Sequence, residues 1–99
     1  WGWAPEFTKA IYKINTARLP DDYVVGTGKI TSLKYIVKKI FKMKKIDKKF
    51  LKINNKSSVR LFDINKIGIN PKKINKELKW KSKTNINQMI NKMFSNELY

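Results

Sequence analysis

The chain has 99 residues, a formal net charge of +16, 41% hydrophobic residues, and neither cysteine nor histidine. That length allows one small domain with a modest core. The missing Cys and His remove a disulfide framework, a thiolate metal centre and the usual general base. Apolar runs are only a few residues long, so no membrane span or signal-peptide core is expected and a reducing cytoplasm is the default compartment.

In chain order, Pro5 near a first turn and Phe7, Ala10, Ile11 and Ile14 on one face predict a helix over residues 4–14, with Trp1 and Trp3 packed at its start. Leu19-Pro20-Asp21-Asp22 reads as a turn. Residues 23–28 read as a buried strand ending in glycine, with Tyr23 in the core. Ser32 then caps a helix whose apolar stripe is Leu33, Ile36, Val37, Ile40 and Phe41. Nine lysines from Lys34 to Lys52 face only Asp47, which makes this the most self-repelling part of the chain, and residues 50–53 are a candidate short strand. Residues 66–69 read as another strand leading into Asn70-Pro71, an Asn cap followed by Pro in the first turn. The helix that follows places Ile74 and Leu78 on one face, and Trp80 anchors its exit. Asn85 with Gln88 three residues on is a capping box, ahead of an amphipathic run through Ile86, Met89, Ile90, Met93 and Phe94. The expected fold class is α/β (or α+β), with about four helices packed on a small sheet.

Several of these stretches carry a resemblance. Asn70-Pro71-Lys72-Lys73-Ile74, Leu78-Lys79-Trp80-Lys81-Ser82 and the run from Met89 to Leu98 resemble the C-terminus of GDP-mannose 4,6-dehydratases, which are extended short-chain dehydrogenase/reductase enzymes of the epimerase/dehydratase group. The family pattern there is roughly G-D-P-x-K-A, L-G-W-K-P and M-V-x-x-M-V-x-x-D-L. This chain departs from it with Ile69 and Lys79 in place of Gly and Ser82 in place of Pro. Upstream, Trp1-Gly2-Trp3-Ala4-Pro5-Glu6-Phe7 is similar to the family's W-G-x-A-x-D-Y-V. Tyr23-Val24-Val25-Gly26-Thr27-Gly28 is similar to D-x-[FY]-V-[IV]-A-T-G, and the stretch from Ser32 to Val37 to S-V-R-x-F-V. Arg60-Leu61-Phe62-Asp63-Ile64 keeps the spacing of R-P-[AT]-E-[VI] before the Asn-Pro, with Leu61 for Pro and Ser57 for a further Arg.

The resemblance implies that residues 1–99 are the C-terminal substrate-binding portion of such an enzyme, with its NADP-binding Rossmann domain absent from this chain and a start at Trp1 instead of Met pointing to a piece of a longer protein. The intact enzyme would then be a lyase that uses NADP to dehydrate GDP-mannose, whereas this chain alone would be inactive and bind no cofactor. Arg60 and Asp63 are the candidate substrate-binding residues. A guanidinium presents parallel donors and a fixed charge to a diphosphate, and a carboxylate three residues on can accept from ribose hydroxyls. The resemblance gives them the same roles, Arg60 at the nucleotide diphosphate and Asp63 near the nucleoside.

Other constellations have plainer readings. Tyr35 and Lys39 have the Tyr-x-x-x-Lys spacing of short-chain dehydrogenases, but in a lysine-rich C-terminal helix this is a coincidence of composition. Gly26-x-Gly28-Lys29 lacks the spacing of either phosphate loop and reads as a turn. Lys38, Lys39, Lys42, Lys44 and Lys45 form a basic face beside Phe41 and Met43. Such a face can meet a membrane surface or polyanion, but its apolar side is expected to cover residues 23–25, so a solvated surface is the preferred reading. Of the 23 basic residues all but Arg18 and Arg60 are Lys, whereas readers of base edges favour Arg. A small basic domain binding nucleic acid or an anionic membrane therefore remains the alternative. Helices that would lie against a missing domain are expected to favour self-association.

Overall fold

The computed structural model describes residues 1–51 and 67–95. It contains four α-helices: α1 (Ala4–Asn15), α2 (Leu33–Met43), α3 (Lys72–Glu77) and α4 (Ile86–Phe94), with a 3-10 turn at Lys48–Phe50. The chain divides into two compact units, one made of Trp1–Ile30 with Gly68–Tyr99, the other of Thr31–Ile67.

In the first unit the core is a cluster of Ala10, Ile74 and Trp80, at 0%, 0% and 5% exposure, with Ile14, Tyr23, Val25 and Leu78 packed around it. Ala10 lets α1 lie close to α3, and Ile74 of α3 points inward together with Leu78 at its C-cap, as their four-residue spacing requires. Phe7 tilts against Trp80 with ring centroids 5.9 Å apart, a favourable aromatic geometry. Met89 and Ile90 are the buried positions of α4. Its capping box forms: Asn85 Oδ1 accepts from the Gln88 N–H at 2.9 Å, and Gln88 Oε1 from the Asn85 N–H at 2.9 Å. Asn70 Oδ1 accepts from the Lys72 N–H at 3.2 Å, satisfying one of the donors that α3 leaves open at its start. Met93 and Phe94, expected on the apolar run of α4, are exposed, and two further details differ from the expectation. Ile11 is exposed, one position beyond the narrow stripe that α1 buries, and Trp1 is exposed where it was expected to pack at the start of the helix.

The expected sheet is not found. Among the described residues there is no strand, so the α/β (or α+β) expectation gives way to a helical architecture. Residues 23–28 form no ladder, and the backbone bends at Gly26 and Gly28: Tyr23 and Val25 are half-buried and Val24 exposed, the alternation of a strand, but no backbone hydrogen bond joins them to residues 68–70. The two segments meet through a side chain instead. A Cβ on Gly26 would stand 2.6 Å from Ile69 Cγ2, so Ile69 occupies the space over Gly26 and the contact is apolar. Gly28 then turns with φ +74° and sits against Pro71, which has no N–H to give. Period-two burial marks an extended segment, but a strand also needs a neighbour whose backbone is in register. The candidate strand at 50–53 also fails at its start, because Phe50 ends the 3-10 turn; residues 52–53 and Lys66 lie outside the described residues.

The second unit is built on α2, with Ile36 buried and Val37, Ile40 and Phe41 half-buried. Ser32 Oγ accepts from the Tyr35 N–H at 3.1 Å, as a cap should. At the other end Lys45 takes a left-handed φ of 52°, the Ile46 N–H bonds the Phe41 carbonyl at 2.9 Å, and the Lys45 N–H bonds that of Lys42 at 3.3 Å. This pair of bonds is a Schellman ending, which folds the residue after the left-handed position back towards the last turn. Asp47 Oδ1 caps the 3-10 turn by accepting from the Lys49 N–H at 3.0 Å.

Candidate functional site

The most heavily bonded polar residue of the first unit is Glu6, in the first turn of α1. Its carboxylate accepts from Ser82 Oγ at 2.8 Å, Thr84 Oγ1 at 2.9 Å, the Lys83 N–H at 3.1 Å and the Thr84 N–H at 3.1 Å. Its own backbone carbonyl accepts from the Trp80 indole N–H at 3.0 Å. Partial burial alone would raise its pKa, but the Ser82 and Thr84 hydroxyls and the Lys83 and Thr84 N–H groups outweigh it and hold the carboxyl below its ordinary value. A single residue thus orders the whole link between Trp80 and the start of α4. With its bonding capacity used internally, Glu6 acts as scaffold.

A second polar cluster fixes the extended segment to α3. The Tyr23 hydroxyl donates to Glu77 Oε2 at 2.9 Å, and Lys73 pairs with Asp21 at 2.9 Å, donates to the Asp22 carbonyl at 2.8 Å and lies 4.9 Å from the centre of the Tyr23 ring. The hydrogen bond to Glu77 raises the Tyr23 pKa, and Asp21 likewise raises that of Lys73. Lys13 Nζ donates to the Leu78 carbonyl at 3.0 Å, meeting an open acceptor just past α3. Together these contacts tie residues 21–23 and the end of α1 to α3.

Arg60 and Asp63 lie outside the described residues. Tyr35 and Lys39 are neighbours on α2: Lys39 Nζ donates to the Tyr35 hydroxyl at 3.4 Å and lies 5.6 Å from its ring centre, the geometry that any i, i+4 Tyr–Lys pair can adopt. Gly26 and Gly28 pack against Ile69 and Pro71, so they form a turn and not a phosphate loop ahead of a helix. Among the described residues no three Asp, Glu, His or Cys residues could hold a metal ion, and no helix is long and apolar enough to cross a membrane.

The sequence pattern of the family described as GDP-mannose 4,6 dehydratase matches residues 1–93. The chain belongs to this family. It is similar to a GDP-mannose 4,6 dehydratase of Dictyostelium discoideum, with 25% identity over an alignment that takes in 99% of this chain and 32% of the relative. The chain therefore spans about a third of the length of that relative. No solved structure matches it.

Family membership gives Glu6 a context that residue-by-residue reading missed. It occupies the acidic position of W-G-x-A-x-D-Y-V, and its partners at Ser82 to Thr84 directly follow the Leu-x-Trp-Lys stretch. An acid in a first turn reads locally as a favourable macrodipole contact. Its partners lie 76 to 78 residues away, beyond the reach of any local rule.

Proposed function

We propose that this chain is the C-terminal nucleotide-sugar-binding portion of a GDP-mannose 4,6-dehydratase, with Arg60 on the diphosphate and Asp63 near the nucleoside. The observation that carries the reading is the family match over residues 1–93, which takes in Arg60-Leu61-Phe62-Asp63-Ile64 at the family's spacing before Asn70-Pro71. The intact enzyme would be an NADP-dependent lyase of the cytoplasm, and its partner within the enzyme would be a Rossmann domain. NADP itself does not suit the residues described here: the glycines that follow residues 23–25 pack on Ile69 and Pro71, and no glycine-rich loop opens a helix towards a pyrophosphate. Binding and orientation of the nucleotide sugar are accordingly the part this chain performs, and alone it is inactive.

Calorimetric titration of the 99-residue chain with GDP-mannose tests this. Binding is expected, with Arg60→Ala weakening it about 10- to 100-fold, the ordinary weight of a charge-assisted contact to phosphate. Asp63→Asn should have the smaller effect. Equal affinity in Arg60→Ala, or no binding by the wild-type chain, would count against the assignment.

A further inference from the structure

The second unit carries a groove of about 580 Å³, lined by Lys38, Phe41, Lys42, Ile46, Lys48 and Leu51. This volume lies within the roughly 300–1,000 Å³ common for small-molecule sites. Its construction follows from the local backbone. The Schellman ending of α2 folds Ile46 back towards Phe41, the two positions whose side chains ordinarily meet in that motif. The Asp47-capped 3-10 turn then brings Leu51 to the same place, giving an apolar floor of Phe41, Ile46 and Leu51.

Lys38, Lys42 and Lys48 complete the lining of the groove. Lys38 and Lys42 are four apart on α2, where like charges repel. Asp47 is the one acid among the described residues of this unit, and its carboxylate is bonded to the Lys49 N–H and paired with the Lys49 ammonium at 3.7 Å. No described carboxylate therefore lies within ion-pair distance of Lys38, Lys42 or Lys48. An apolar floor lined on its margins by three lysines matches a ligand that has an apolar body and one anionic end. A purely ionic ligand would leave Phe41, Ile46 and Leu51 unused, and an uncharged one would leave the lysine repulsion in place. The groove is concave, which suits a single inserted molecule better than the flat face of a bilayer.

We propose that this groove binds a soluble amphipathic anion, with its head group among Lys38, Lys42 and Lys48 and its apolar chain along Phe41, Ile46 and Leu51. Its lining residues are other than Arg60 and Asp63, and the occupant proposed for it is not a nucleotide sugar.

Decyl phosphate, used below its micelle concentration, is the probe. Titration into the full chain should give one saturable site that weakens as salt rises. Lys38→Glu with Lys42→Glu should weaken binding about tenfold or more, whereas the two Arg replacements retain it. All these positions are exposed, so far-UV circular dichroism should stay unchanged. Ile46→Ser, also at an exposed residue, should weaken binding severalfold while leaving the helix signal intact. Four results would each overturn the proposal: affinity unchanged in the charge-reversed chain, equal affinity for inorganic phosphate, displacement by GDP-mannose, or binding to phosphatidylserine vesicles with no saturable site for the monomeric amphiphile.

Discussion

Glu6 and Lys79 show how much one residue decides here. The carboxylate of Glu6 satisfies two hydroxyls and two backbone N–H groups at once, so Glu6→Leu would strand donors that are partly withdrawn from water. A loss of about 1–2 kcal/mol is expected, at the modest end because the carboxylate keeps contact with solvent. Its pKa also sets a pH dependence. The folded value lies below the ordinary 4.5, so the unfolded chain takes up the proton first. The stability contributed by Glu6 is therefore complete above about pH 4.5 and is lost as pH falls through the folded pKa. Thermal melts from pH 7 to pH 3 should show this acid decline, and Glu6→Gln should flatten it. Lys79 holds a left-handed φ of 51° at the exit of α3, at the position where the family pattern has Gly. A side chain costs energy in that conformation, so Lys79→Gly should stabilise the chain by about 0.5–1 kcal/mol in denaturant titrations. A destabilising result would mean that the Lys79 side chain makes a contact worth more than the strain.

At the scale of elements, the helices were legible, whereas the sheet expected from the sequence is not formed among the described residues. Ser32 and the Asn85–Gln88 pair name their helix starts because a cap is a local event, a side-chain oxygen meeting an N–H two or three residues on. Asn85→Ala should accordingly cost about 1 kcal/mol and fray α4, read as lost helix signal and earlier melting. The burial of Ile74, Leu78, Met89 and Ile90 was legible for a similar reason, since 3.6-residue periodicity fixes which positions share a face. Strands depend on partners instead. The inward packing of Tyr23 and the turn at Gly26-x-Gly28 were readable in the sequence, but the filling of the space over Gly26 by Ile69 and the seating of Gly28 against Pro71 were not. Both depend on a segment more than forty residues away. Of the candidate site, the spacing of Arg60 and Asp63 before Asn70-Pro71 was visible from the sequence, together with the family that the match to residues 1–93 bears out. The Glu6 link and the α2 groove were not, because each joins residues through tertiary contacts or an unusual backbone turn.

At the scale of the molecule, the chain combines a small core with a broad apolar and basic surface. Ile11, Tyr12 and Met93 of the first unit are exposed, Tyr12 by 70%, although α1 and α4 are amphipathic. Exposed apolar helix surface of this kind favours association, against the repulsion of a +16 charge. Sedimentation equilibrium at moderate salt should therefore show a mass rising with concentration above 11.7 kDa, and Ile11→Lys with Tyr12→Lys should return it to the monomer value. A constant 11.7 kDa at all concentrations would mean that charge repulsion prevails.

The most direct test of the nucleotide-sugar assignment uses a feature of the composition: Arg18 and Arg60 are the only arginines in the chain. A nitrogen-15 spectrum should therefore hold two guanidinium Nε–H signals, assigned by Arg18→Lys and Arg60→Lys. On addition of GDP-mannose the Arg60 signal should shift and saturate while that of Arg18 stays in place. If neither signal moves, or only that of Arg18, the assignment of Arg60 to the diphosphate is wrong.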